Sequence, residues 1–106
     1  MMNRSVLLAA GLVLASTTCR AQQPPSEPTV ARSLAASCAN CHGTNGQARG
    51  DMKPLAGMSA AKIIATLADF RSGAQAGTIM PQIAKGYTDE QIRLIASYMA
   101  AQPAPK

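Results

Sequence analysis

"CANCHG", residues 38 to 43, sets two cysteines three positions apart and follows the second at once with a histidine. The 106-residue chain contains no other histidine and one other cysteine, Cys19. Two thiols and an imidazole concentrated in five residues demand a chemical reason.

A structural zinc ion takes four ligands, usually cysteine and histidine. Beyond Cys19 the chain offers only Cys38, Cys41 and His42, with no second cysteine pair. A thioredoxin-like redox disulfide puts its Cys-x-x-Cys at a helix N-terminus after a strand. Here the pair is expected at the end of a helix, with no strand before it. Cys-x-x-Cys-His is the attachment signature of c-type haem. Thiols one helical turn apart can add across the two vinyl groups on one porphyrin edge, and the next residue then offers an imidazole to the iron. The cofactor expected is one covalently bound haem c on Cys38 and Cys41, with His42 as the first axial ligand.

The second axial ligand cannot be histidine, so methionine remains. Outside the first twenty-one residues there are four: Met52, Met58, Met80 and Met99. Met52 lies too few residues past His42 to reach the opposite haem face. Met99 belongs to an apolar helix stripe, and Met58 precedes a helix cap. Met80 is expected in an extended loop, because Pro81 biases it away from helical geometry. The iron ligands expected are therefore His42 and Met80. The carbonyl of Pro54 is expected to accept the second ring N–H of His42 and fix the imidazole. Leu55, Leu67, Ile79 and Ile83 are expected to pack on the ring.

Working outward, residues 1–21 read as a secretory signal peptide. Arg4 precedes the apolar run "VLLAAGLVLA", and Cys19 and Ala21 are small residues before a cut. The run is about half a bilayer span, so no stable membrane insertion is expected after cleavage. Lipid attachment at Cys19 is the weaker reading, because Ser16-Thr17-Thr18 approaches it poorly. Localisation is expected to be periplasmic. "QQPPSEP", residues 22–28, reads as a flexible arm, and 29–106 as one domain. Without the leader, eight basic residues face five acidic ones, a formal charge of +3. That is too mild for a nucleic-acid binder, whose basic residues cluster in stripes. The domain's only aromatics are Phe70, Tyr87 and Tyr98, a sparse supply for a core of that size.

The helical pattern is clear in three places. Val30, Leu34, Cys38 and Cys41 line one side of a helix expected over 29–40. A second is expected from Ser59, a good N-cap, to Ser72, with Gly73 as its stop. The last opens on Thr88 and Gln91 as a capping box, with Tyr87 and Ile92 as a hydrophobic staple. Ile92, Ile95 and Met99 form its apolar stripe. The segments 43–57 and 74–87 read as irregular, and loops of that size usually wrap a ligand or carry function.

With these residues in view, the chain resembles an all-α, small class I cytochrome c, about three main helices and long loops around one haem. "CANCHGTNG", "PLAG", "TIMPQIAKGYTDEQI" and "IASYM" occur in the order that family uses, over roughly residues 30 to 102. More narrowly it is similar to the cytochrome c553/c4-like group. "TIMPQIAKGY" resembles the single-haem cytochrome subunits of flavocytochrome c, sulfide dehydrogenase. The resemblance implies a non-catalytic electron-transfer protein, with Met80 as axial ligand and Tyr98 packed against Ala35 or Ala36. It also implies redox partner proteins, among them a flavoprotein dehydrogenase subunit that oxidises sulfide. The rival reading is a haem-based sensor or peroxidase whose sixth site opens.

Overall fold

The computed structural model describes residues 23–106, so the leader expected over 1–21 and the lipidation reading of Cys19 lie outside the described residues. Within them the protein is helical, and no strand occurs. The elements are α1 (Glu27–Ala36), α2 (Ala39–His42), a 3-10 turn (Thr44–Gly46), α3 (Ala60–Ser72), α4 (Met80–Lys85) and α5 (Asp89–Ala100).

α1 begins inside the stretch expected to be an arm. Pro28 sits in its first turn beside the acidic Glu27, where a missing N–H and a fixed φ cost nothing and negative charge suits the helix dipole. The helix also ends earlier than the apolar spacing predicts. The Ser37 hydroxyl donates to the Leu34 carbonyl at 3.0 Å, and the Cys38 amide to the Ala35 carbonyl at 3.1 Å. This tight turn ends the α-helical ladder, and a separate four-residue helix carries Cys41 and His42.

α3 and α5 run as expected. The Ser59 hydroxyl accepts the Lys62 amide at 3.3 Å, and α3 stops at Gly73. At α5 both halves of the capping box form: Thr88 N–H to Gln91 Oε1 at 2.9 Å and Gln91 N–H to Thr88 Oγ1 at 3.2 Å. The segment expected to be irregular contains α4, with Met80 in its first turn rather than in extended backbone. Pro81 restricts the residue before it but is itself well suited to a first helical turn, and here the second tendency wins.

α1 packs on α5, α3 packs on both α4 and α5. The centre of the core is Ala35, Ile63, Ile95, Ala96 and Met99, with Leu34, Leu55, Met58, Leu67, Tyr87 and Tyr98 packed half-buried against it. Of the two alanines expected to meet Tyr98, Ala35 is the buried one and Ala36 is exposed. The Tyr98 hydroxyl donates to Asn45 Oδ1 at 2.7 Å, tying α5 to the turn after the cysteine motif.

Candidate haem-attachment site

The five residues that raised the question form a single turn. The amides of Cys41 and His42 both reach the Cys38 carbonyl, at 3.3 and 2.9 Å. Cys38 and Cys41 are free thiols, the first half-buried and the second exposed. Burial pushes the Cys38 thiol above its ordinary range, against a smaller opposing effect of the Ser37 hydrogen bond. A redox-active dithiol needs the opposite shift.

His42 Nδ1 lies 2.6 Å from a backbone carbonyl oxygen. The acceptor is Lys53, not Pro54 as expected. The Lys53 oxygen belongs to the peptide bond that enters Pro54, and the proline ring biases Lys53 towards extended backbone. The proline thus orients its predecessor's carbonyl rather than its own. Nδ1 must carry the proton to donate to this acceptor, so Nε2 is left with its lone pair. A ring with Nδ1–H held by backbone and a basic Nε2 is the arrangement of a metal-ligating histidine.

The loop carrying Lys53 is itself anchored. The Gly46 carbonyl accepts the Leu55 and Ala56 amides at 3.0 and 3.1 Å, and the Met99 carbonyl accepts the Gly57 amide at 3.0 Å. These bonds close the 43–57 loop against the C-terminal end of α5.

The four methionines differ sharply in setting. Met99 has no solvent exposure at all. Met58 packs against the core cluster. Met52 is exposed in the 43–57 loop. Met80 is half-buried at the start of α4. Ile79, beside it, is 62% exposed, and Ile64 on α3 and Ile83 on α4 are also exposed. Leu55 and Leu67, expected on a ring, are half-buried against the core cluster.

Sequence reasoning missed two participants. One is the Lys53 carbonyl, signalled only by its place before a proline. The other is Arg71, in the last turn of α3. It donates from Nη1 to Asp89 Oδ1 at 2.6 Å, from Nη2 to the Tyr87 carbonyl at 2.7 Å and from Nε to the Ala84 carbonyl at 3.3 Å. No local pattern in the sequence signals contacts 13 to 18 residues away.

Two free thiols one turn apart, followed by an imidazole with a fixed tautomer, are a donor set that fits haem c. Comparison with known proteins points the same way. The family model described as "Cytochrome C oxidase, cbb3-type, subunit III" matches residues 27–99. A cytochrome subunit of sulfide dehydrogenase from Chlorobaculum tepidum is 43% identical over 101 residues, covering 88% of this chain and 92% of the relative. Cytochrome c-553 of Helicobacter pylori is 42% identical, covering 67% of this chain and 76% of the relative. A thiosulfate dehydrogenase electron acceptor from Stutzerimonas stutzeri is 40% identical, over 71% of this chain but only 36% of its own length. Among solved structures, cytochrome c4 of Acidithiobacillus ferrooxidans superposes with a TM-score of 0.59 at 38% identity, covering 61% of this chain and 38% of that one. These relatives are electron-transfer cytochromes, which favours a carrier over the sensor or peroxidase alternative.

Proposed function

This chain belongs to the c-type cytochromes, in the domain family that the matching model defines, and from that premise we propose that it is a periplasmic one-electron carrier with haem c attached at Cys38 and Cys41 and ligated by His42 and Met80. The observation that carries the site assignment is the 2.6 Å contact from His42 Nδ1 to the Lys53 carbonyl. It holds the imidazole in the tautomer that leaves Nε2 as a ligand, within the turn that presents both thiols. The haem supplies a ferric/ferrous couple, and a His/Met ligand pair raises its potential.

Met80 is assigned as the sixth ligand because the other three sulfurs are occupied or misplaced. Met99 is sealed in the core, Met58 packs against it, and Met52 lies in the same loop that supports His42. Ile64, Ile79 and Ile83 supply exposed apolar surface on α3 and around α4, of the kind a porphyrin face buries. The partner proposed is a sulfide-oxidising flavoprotein subunit. Support comes from the Chlorobaculum relative, whose match spans nearly all of both chains. The basic start and short apolar run within residues 1–21 support export by a leader and a periplasmic location.

The test is a set of optical spectra on protein matured in a periplasm. Pigment retained by the polypeptide after acid–acetone extraction supports covalent attachment; release overturns it. Ferrous wild-type protein is expected to bind little carbon monoxide, and ferrous Met80→Ala to bind it readily. Ready binding by wild type overturns the six-coordinate carrier. Co-purification with a flavin-containing chain supports the proposed partner, and a monomer that accepts electrons equally from unrelated donors overturns it.

A further inference from the structure

α4 is only six residues long, too short to be stable by itself, so something outside the helix must hold it. Its buried residue is Ala84, without solvent exposure. Met80 stands four positions earlier, on the same face. The Ala84 carbonyl belongs to the last turn of α4, where helix carbonyls lack intrahelical partners. It accepts Nε of Arg71. The same guanidinium takes the Tyr87 carbonyl and the Asp89 carboxylate, so one side chain pins the end of α4, the connection and the start of α5 to the last turn of α3. From Tyr87 the contacts continue. Its hydroxyl lies 2.6 Å from Ser37 Oγ, and Ser37 immediately precedes Cys38.

We propose that Arg71 is a positioning residue for the sixth-ligand segment, holding α4 so that Met80 stays on the iron, with the Tyr87–Ser37 contact carrying that registration to the cysteine turn. This rests on Met80 being the ligand. Arg71 touches neither the iron nor Met80 in this role; it acts through the carbonyls at the end of the helix. Asp89 is 92% exposed, so its ion pair contributes little and the two carbonyl bonds carry the effect.

The experiment measures imidazole binding to the ferric haem-loaded protein, because exogenous imidazole enters only when the methionine lets go. The far-red sulfur-to-iron absorption band is followed in parallel. Met80→Ala fixes the fully open limit. Arg71→Gln is expected to raise imidazole affinity at least about tenfold, equivalent to ~1.4 kcal/mol, and to weaken the far-red band. Arg71→Lys should recover part of the difference, since an ammonium can reach one carbonyl but lacks the planar fork. Tyr87→Phe should raise the affinity about threefold, the worth of one neutral hydrogen bond. If Arg71→Gln lowers the melting temperature but leaves imidazole affinity at the wild-type value, the role is only structural and the proposal is overturned. Should Arg71→Gln fail to mature, wild-type affinity in both Arg71→Lys and Tyr87→Phe overturns it equally. An unchanged affinity in Met80→Ala overturns the ligand assignment and this inference together. A responsive Met80→Ala beside an unresponsive Arg71→Gln overturns this one alone.

Discussion

Gly46 is the residue where the loop around His42 meets the core, and it has no room to be anything else. A Cβ there would lie 2.6 Å from the Ala56 amide nitrogen and 3.0 Å from the Met99 sulfur, on a backbone with φ of +76°. Gly46→Ala is expected to cost about 3 kcal/mol, adding backbone displacement to the left-handed penalty. Gly50 separates the two causes. Its φ is +61° with nothing within 4 Å, so Gly50→Ala should cost only about 1 kcal/mol. Thermal unfolding of the two haem-loaded variants checks this, and equal losses would show that the close approach at Gly46 carries no weight. The His42 contact makes a prediction of the same scale. Because the acceptor is a main-chain oxygen and the Lys53 side chain is exposed, Lys53→Ala should keep the wild-type spectrum and stability within about 0.5 kcal/mol. A shifted potential after that substitution would mean that the ammonium, not the carbonyl, tunes the site. The sequence brought the histidine's partner to within one residue, since "KPLAG" marks a proline-stiffened turn. Gly46 was illegible among the glycines of its loop, because its constraint comes from how the folded loop brings the Ala56 amide, and Met99 from 53 positions away, against it.

At the scale of elements, legibility follows the range of the interactions that define each one. α5 is written locally: Thr88 and Gln91 stand three apart and bond each other's backbone, and Ile92, Ile95 and Met99 repeat at helical spacing and are all buried. Thr88→Ala removes one arm of that box. It should cost about 1 kcal/mol and lower the melting temperature by roughly 4–8 °C for a domain this small, which circular dichroism would detect. No loss would mean the cap is redundant with the tertiary packing of α5. The break in the first helix is less legible. Ser37 is a visible helix competitor, but its hydroxyl is also shared with Tyr87, 50 residues on. α4 is hidden for the same reason. Its sequence has a proline in second place and is too short to be periodic, and its end is held by a guanidinium from another helix. Met80 therefore moves from an expected loop to a helical turn without losing its candidacy, which rests on partial exposure and not on local backbone.

At the scale of the molecule, the core is rich in small side chains. Among the described residues ten apolar ones are buried, and five of them are alanines: Ala31, Ala35, Ala56, Ala84 and Ala96. Met99 is the only large side chain among the described residues that is completely enclosed. Small residues at Ala35 and Ala96 let α1 and α5 approach closely, but alanine buries little apolar surface, and burial scales with area. Several larger apolar groups lie half-buried or exposed, Leu34, Leu55 and Leu67 at the rim of the cluster and Ile64, Ile79 and Ile83 outside it. A chain this short needs a further source of cohesion, and the covalently attached haem is the group whose apolar faces match those side chains. Cys38→Ala/Cys41→Ala, exported without attached haem, is therefore expected to keep less than about 2 kcal/mol of stability, where a folded domain of this length holds roughly 4–13 kcal/mol. Its far-ultraviolet helical signal should be weak and its urea transition broad, with a slope reduced to match the smaller surface buried. A cooperative unfolding transition at the wild-type midpoint would mean that the alanine-rich core suffices by itself, and that the exposed isoleucines serve some purpose other than packing against a porphyrin.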